Sequence, residues 1–183
     1  MSVAIIVIAS ERRRELLDQI IVPSALQHSS EVIVVGDYHD GHGYRYLPVP
    51  PLTATTTDAL VKRDVGTLAA SADWLFYLSD DHAVRATWTP PDDPMVITVP
   101  RRFCTGHELN MGMDPTDQNA PYCGGHGGLF SRKLVQMRPW STMPHHRLWD
   151  LLSSREYMAM GARLVASPRW AIEDVEPGAT PWL

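Results

Sequence analysis

The feature that most constrains this chain is the apolar run Trp74-Leu75-Phe76-Tyr77-Leu78, which leads through Ser79 into Asp80 and Asp81. A short apolar run that follows a helical pattern is typical of a buried strand in a parallel sheet. Ligands of open α/β sheets bind beyond the carboxyl ends of the strands. The sequence therefore predicts that both carboxylates lie at the mouth of a binding cleft.

Two neighbouring carboxylates repel each other unless a cation or a proton lies between them. Oxygen ligands beside a phosphate suit Mg²⁺ or Mn²⁺, so Asp81 is the predicted metal ligand. The alternative is that an Asp at this position caps a following helix. Pro90 and Pro91 leave little room for such a helix, which favours the cation site.

Length, charge and cysteine count limit the classes of protein to which this chain can belong. A chain of 183 residues suits one domain, and its net charge of -5 argues against nucleic-acid binding by charge alone, although it leaves a local basic patch open. The apolar run Val3 to Ile8 lacks the preceding basic residues of a signal peptide, and no run approaches the ~20 residues of a membrane span. Two cysteines are too few for a disulfide framework. We expect a cytoplasmic protein.

Strand and helix patterns alternate along the first half in the order β-α-β-β-α-β, which predicts an α/β fold with a mostly parallel sheet. The predicted elements are strands at 3–9, 31–35, 44–49 and 73–78, with helices at 13–27 and 57–71. In the second half we expect strands at 95–99 and 164–166, a loop over 101–122, and helices near Lys133 and over 148–160. Gly161 is the expected C-cap, and a tail follows the last strand.

Five short segments stand in a characteristic order. They are Val3–Ser10, Val32–Asp37, Lys62–Gly66 leading to Leu78-Ser79-Asp80-Asp81, Gly127–Arg132 and Trp149–Arg155 with Gly161. In this order they resemble the opening strand, the acidic second strand, the A-R-N-x-G helix with the D-x-D strand, and the two acceptor-side motifs of GT-A glycosyltransferases, particularly family 2. The resemblance implies a single GT-A domain in which residues 1–82 bind the nucleotide-sugar and residues 95–183 form the acceptor side.

The resemblance also implies which residues hold the donor. The expected contacts to base, ribose and diphosphate are Ala9, Ser10, Glu11, Asp37, Arg63 and Asp80, with Mn²⁺ or Mg²⁺ on Asp81. For Arg63, an ordinary solvated surface position is the alternative. The implied activity is transfer of a sugar from a nucleotide diphosphate to an acceptor hydroxyl. The acceptor is left open among glycans, proteins, small molecules and hydroxylated nucleobases.

Asp150 is the general base that the resemblance implies, with inversion at the anomeric carbon. The alternative is an ion pair with Arg147 or Arg155, or a carboxylate favoured by the start of a helix. His145 and His146 precede it closely and are the next candidates, although neighbouring histidines on a loop are often simply exposed.

The chain departs from the family pattern at Trp149, where Glu is usual, and at two further places. Ser79 stands where the first Asp of the motif is usual, and the tail offers Glu173 and Asp174 where the family often has a late metal-binding His. The two further departures favour the rival interpretation, a non-catalytic module of the same fold that binds a nucleotide or a partner.

Two Cys/His pairs do not belong to the transferase interpretation. Cys104 and His107 share the spacing of Cys123 and His126, and four such ligands suit a structural zinc ion. The alternative is free buried cysteine, which is common.

Overall fold

A computed structural model describes residues 1–10, 13–36, 44–50, 55–86, 89–104, 107–110, 128–143 and 149–175. The strands of these ranges are β1 Val3–Ile8, β2 Glu31–Gly36, β3 Arg45–Pro48, β4 Trp74–Ser79, β5 His82–Ala86, β6 Val96–Cys104, β7 His107–Asn110, β8 Leu129–Ser131 and β9 Arg163–Asp174. They belong to one sheet in the order β3-β2-β1-β4-β8-β6-β9-β5, with β7 beside β6.

The four strands β3-β2-β1-β4 are parallel to their neighbours, as the alternating pattern of the first half predicts. The remaining strands add antiparallel neighbours through β8, β5 and β7, while β6 and β9 are parallel. The prediction of an α/β fold with a mostly parallel sheet between helices is confirmed. Because β5 pairs with β9, the two predicted halves share this sheet.

Five helices complete the described fold, and their bounds are α1 Arg14–Leu16, α2 Val22–Leu26, α3 Thr55–Ala69, α4 Arg132–Met137 and α5 Trp149–Ala159. A π-helical turn, Leu17–Ile21, joins α1 to α2, so the predicted helix over 13–27 is continuous. Pro23 lies in the first turn of α2, directly after the π-helical turn. Gly161 follows α5 with φ of 95°, the left-handed conformation expected of a glycine C-cap.

Both faces of the sheet are covered by apolar side chains, as the continuous apolar runs predict. Along β1, Ile6 packs in the cluster that α3 covers, while Ile5 and Val7 pack with Leu17 in the cluster beneath α1 and α2. Burial of each such side chain stabilises the fold by about 1.5–3 kcal/mol. At Gly66, an added Cβ would lie 2.3 Å from the Ile6 side chain, so glycine lets α3 approach β1 closely.

The predicted loop over 101–122 is wrong at its beginning, because β6 continues to Cys104 and pairs with β7 in a hairpin. The predicted tail is also wrong up to Asp174, since β9 runs on along β6. The pairing of β6 with β9 shifts register between Val99 and Arg101, where the partner residue moves from Ala166 to Ala171. A bulge of this kind accommodates Pro168, which lacks the N–H of a regular ladder.

Among the helices of the described ranges, none is long and apolar enough to cross a membrane.

Candidate functional site

The first part of the site is formed where β1 and β4 end side by side. Their parallel register places Ile8 opposite Ser79, so the residues that follow each strand are neighbours. Ser10 donates to Asp80 Oδ2 twice, from its backbone N at 2.7 Å and from its hydroxyl at 2.6 Å. The structure therefore brings together Ala9, Ser10 and Asp80, three of the residues predicted at the donor site.

Arg13 joins the two carboxylates. Its Nη1 atom lies 3.0 Å from Asp80 Oδ1 and 2.8 Å from Asp81 Oδ2. Partial burial by itself lowers the pKa of Arg13, but the charges of Asp81 and Asp80 outweigh that effect and the pKa is raised. The guanidinium is thus a permanent positive charge between the two carboxylates.

His82 links Asp81 to β9, the last strand of the described chain. In the antiparallel pairing of β5 with β9, His82 stands opposite Asp174. The buried imidazole has Nδ1 2.5 Å from Asp81 Oδ1 and Nε2 2.9 Å from Asp174 Oδ1. The backbone is tied at the same place, since Val175 N donates to the Asp81 carbonyl at 2.7 Å.

Sequence reasoning assigned no role to His82. The signal that pointed to this part of the site was the acidic pair Glu173 and Asp174, noted in place of a late histidine. Burial raises the pKa of Glu173, Arg85 opposes the rise and Asp174 adds to it. The arrangement is consequently rich in carboxylates, and its described cationic neighbours are Arg13 and Arg85.

A buried lysine on α3 reaches the end of β1. Lys62 Nζ donates to the Ala9 carbonyl at 3.1 Å and lies 2.7 Å from Asp58 Oδ2. Only 2% of Lys62 is exposed, so its charge is compensated within the protein. Sequence reasoning missed this residue, although its position one helical turn after Asp58 is a recognised signal for a pair on one helix face.

Arg63, the predicted diphosphate contact, lies in the interior. It is 4% exposed, and its guanidinium carbon is 5.0 Å from the centre of the Tyr77 ring and 4.8 Å from that of Trp140. Burial raises the pKa of Tyr77 to about 12, although its hydroxyl lies 2.6 Å from Thr67 Oγ1. On α3, the side chain of Lys62 contacts the carbonyl of Ala9 at the end of β1.

Several predicted residues lie outside the described part of the chain. These are Glu11 and Asp37 of the donor set, His145 and His146 of the alternative bases, and Cys123 and His126 of the zinc set. Asp150 is the second residue of α5, but the description does not extend to its side chain. Cys104 and His107 are paired residues of β6 and β7. Asp150 and the zinc site stay predictions.

The residues at the end of β4 do not fit a divalent cation as they are arranged. Asp80 uses Oδ2 for Ser10 and Oδ1 for Arg13, while Asp81 contacts Arg13 and His82. Within the ranges that the structure describes, no group of three or more His, Cys, Asp or Glu residues is placed to hold a metal ion. Arg13 fills the position between the two carboxylates.

The comparisons with known proteins bear on the fold. No family model matches the chain, and no curated protein matches its sequence. Among solved structures, it is similar to the crystal structure of GalNAc-T7 with UDP, GalNAc and Mn²⁺, with a TM-score of 0.63 and 10% identity. The superposition covers 98% of this chain and 45% of that chain, so this chain spans less than half of its neighbour's length.

The chain has a GT-A-like fold. At 10% identity the similarity shows the fold alone, and membership of family 2 is not shown. The neighbour in this comparison is a glycosyltransferase, which agrees with the fold that the sequence motifs predict.

Proposed function

We propose that the chain transfers a sugar from a nucleotide-diphosphate donor to an acceptor hydroxyl. The observation that carries this proposal is the contact of Ser10 with Asp80 at the carboxyl ends of two neighbouring parallel strands. In open α/β sheets this edge is the place where ligands bind. The GT-A-like fold and the UDP in the neighbour's structure support a nucleotide as the ligand.

In the proposed donor site, the base and ribose lie against Ala9, Ser10, Glu11 and Asp37, and Asp80 contacts the ribose. Lys62 supports this surface indirectly, because its bond to the Ala9 carbonyl fixes the end of β1. The predicted contact of Arg63 with the diphosphate requires its side chain to leave the rings of Tyr77 and Trp140. We therefore assign Lys62 the role of positioning the end of β1.

The reaction needs a base for the acceptor and positive charge near the leaving diphosphate. Asp150, near the start of α5, is the proposed base, and its use as a base implies inversion. The Mn²⁺ in the neighbour's structure supports the use of a divalent cation. Asp81 is the ligand predicted for it from the sequence. Because Arg13 fills that position in the described arrangement, no step is derived through a metal.

The second candidate function is a non-catalytic module that binds a nucleotide. It is favoured by Ser79, which lies at the end of β4 where the resemblance expects a carboxylate. A cytoplasmic location and a structural zinc ion are further predictions that fit either function. Elemental analysis of the purified protein tests the zinc, and the acceptor is not assigned.

Incubation with a panel of nucleotide-sugars, each with Mn²⁺ or Mg²⁺, tests the proposal. We expect slow release of the nucleotide diphosphate from one class of donor, because water replaces a missing acceptor. Asp80→Asn should abolish this release. The matched control is Asp93→Asn, since Asp93 pairs with the exposed Arg163 and lies before β6 begins.

The outcomes separate the two functions. Binding of a nucleotide without any turnover, even with acceptor mixtures, identifies the binding module. Neither binding nor turnover with any member of the panel contradicts both, and equal activity of Asp80→Asn and wild type contradicts the assigned site.

A further inference from the structure

Asp58 and Lys62 form an ion pair on α3 at the end of β1. Lys62 Nζ lies 2.7 Å from Asp58 Oδ2 and donates to the Ala9 carbonyl at 3.1 Å. We propose that Asp58 binds the nucleobase of the donor by accepting a hydrogen bond from a ring N–H, and that Lys62 is its buried counter-ion. This inference rests on the proposed function, which lays base and ribose against the end of β1, and adds a residue that distinguishes one base from another.

The direction of α3 places Asp58 beyond the strand. An added Cβ at Gly66 would lie 2.3 Å from the side chain of Ile6, in the middle of β1, whereas Lys62 contacts Ala9, just after the strand ends. The helix therefore runs opposite to β1. Asp58 stands one turn before Lys62, about 6 Å further along the helix axis, and so lies past the last residue of the strand. Ligands of open α/β sheets bind in this region.

The order of the strands separates Asp58 from the proposed ribose contact. Asp80 follows β4, which lies on one side of β1, and β2 lies on the other side. Leu60 of α3 packs with Ile6 of β1 and Ile33 of β2, so the helix covers that second side. Neighbouring strands are about 4.8 Å apart, a spacing close to that between a ribose and its base. A nucleoside that lies across the end of β1 with its ribose at Asp80 therefore extends its base toward Asp58.

The burial of the pair favours a binding role over an ordinary surface ion pair. The Lys62 side chain is 2% exposed and that of Asp58 is 18% exposed. Exposed pairs one turn apart are solvated, whereas a buried lysine carries a desolvation cost that its partner must offset. An ionised carboxylate accepts about four hydrogen bonds, so Asp58 can hold both Lys62 and a ligand N–H. Because Asp58 is the more exposed member of the pair, it is the one that a ligand reaches.

The chemistry of a carboxylate decides which bases fit. A carboxylate accepts hydrogen bonds and donates none. Uracil, thymine and guanine carry a proton on a ring nitrogen beside an exocyclic oxygen. Cytosine and adenine have a ring nitrogen without a proton at the corresponding position, and its lone pair would face the negative charge of Asp58. A site built to accept a ligand N–H rejects analogues that lack it, so Asp58 selects bases with a ring N–H.

The test compares nucleotides that differ only at this proton. Isothermal titration calorimetry of the wild-type chain measures the affinities of UDP, TDP and GDP and of their analogues methylated on the ring nitrogen, N3 or N1. For the nucleotide that binds most tightly, we expect methylation to weaken binding at least about tenfold, because it removes the proton that Asp58 accepts. This comparison uses no variant and does not depend on how one folds.

Variants connect that loss to Asp58. Asp58→Asn should weaken the unmethylated nucleotide by a similar factor and leave the affinity of the methylated one nearly unchanged. Asp58→Asn combined with Lys62→Met removes both charges of the pair and should likewise bind the two forms equally. Asp93→Asn is the matched control, since Asp93 pairs with the exposed Arg163, and it should keep the wild-type difference.

The outcomes separate this inference from the proposed function. Equal affinity of the wild-type chain for methylated and unmethylated nucleotides overturns the role of Asp58, as does a folded Asp58→Asn that keeps the wild-type difference. Tighter binding of CDP or ADP than of UDP, TDP and GDP also overturns it. In each of these cases a nucleotide still binds, so the proposed function stands. Absence of binding by every nucleoside diphosphate contradicts both.

Discussion

Carboxylates lie at both ends of the parallel strands, and their negative charges are compensated in different ways. We call the end where the strands begin the amino edge and the end where they finish the carboxyl edge. At the amino edge, Glu31 accepts hydrogen bonds from Ser71 N at 2.6 Å, Ser71 Oγ at 3.0 Å and Ala72 N at 2.9 Å. At the carboxyl edge, Asp80 and Asp81 share the guanidinium of Arg13. Backbone donors compensate the first carboxylate, and a side-chain cation compensates the second pair.

The first carboxylate is held mainly by the backbone of the fold, whereas the second pair is held in part by one partly exposed side chain. Backbone N–H groups cannot leave without a change of fold, whereas a partly exposed arginine side chain can change conformation while the fold is kept. A cavity of about 630 Å³ lies at the amino edge and is lined in part by Ser29, Glu31 and Ser71. Ser29 and Glu31 are engaged in hydrogen bonds of the fold. These two polar residues of the cavity are therefore already used by the fold.

The largest expected effect is that of Asp81→Asn, which removes one of the two carboxylate charges that Arg13 contacts. We expect turnover of the sugar donor to be abolished, while cooperative melting is kept because Asp80 retains its bonds to Ser10. Release of the nucleotide diphosphate and circular dichroism measure the two effects. Normal turnover in this variant would remove Asp81 from the site.

Asp150→Asn tests whether a third carboxylate, on the second residue of α5, acts in the reaction. The amide keeps the shape of the side chain but cannot accept the acceptor proton, so kcat should fall by about 10²–10⁴-fold with an unchanged Kd for the nucleotide. Single-turnover kinetics and equilibrium binding measure these quantities separately. If turnover stays near normal, Asp150 is only a helix-start or ion-pair residue, and His145 or His146 becomes the next base to test.

Glu31→Gln sharpens the comparison from the structural side. The amide presents an NH₂ group to backbone donors, so unfolding should become easier by about 1–2 kcal/mol, and nucleotide binding should not change. For a chain of this length, that loss lowers the Tm by about 2–4 °C per kcal/mol. Thermal melting and nucleotide titration on the same sample measure both. A loss of nucleotide affinity at unchanged Tm would reverse the roles assigned to the two edges.

The smallest expected effect is a pH dependence at the amino edge. Burial lowers the pKa of His28 below its ordinary value. Because the unfolded chain then binds the proton more readily, stability present above about pH 6.5 is lost as the pH falls through the ordinary value toward the lowered one. Melting at pH 7.5 and pH 5.5 should therefore show a drop that is smaller in His28→Gln. An equal drop in both proteins would mean that His28 does not contribute.

The parallel half of the sheet could be predicted from the sequence because its apolar runs are long and its helices are periodic. The placement of Asp80 at a binding edge follows from the rule that ligands bind beyond the strands. Its contact with Ser10 became known only from the structure, which places β1 beside β4. Each of these inferences depends on local sequence and on one topological rule. The order of the five segments, by their resemblance to family motifs, predicted the same fold.

The second half could not be predicted equally well, because its pairing is decided by tertiary contacts. The polar residues Arg101 and Arg102 read as loop, yet they belong to β6, which pairs with β7 and β9. Arg13 contacts Asp80 across 67 positions of the chain, and nothing local distinguishes it from Arg12 and Arg14. His82 likewise contacts Asp174 only when β9 folds beside β5.

The central claim, that nucleotide binds at the carboxyl edge, is tested most directly by ¹H–¹⁵N spectra of the labelled protein during titration with nucleoside diphosphates. A panel of UDP, GDP, CDP, ADP and TDP, with and without Mg²⁺, covers the donor classes. For at least one of them, the amide resonances of Ser10, Asp80, Asp81 and His82 should shift, while those of Ser29, Glu31 and Ser71 should not. Shifts centred on Glu31, or no shift with any nucleotide, would contradict the claim.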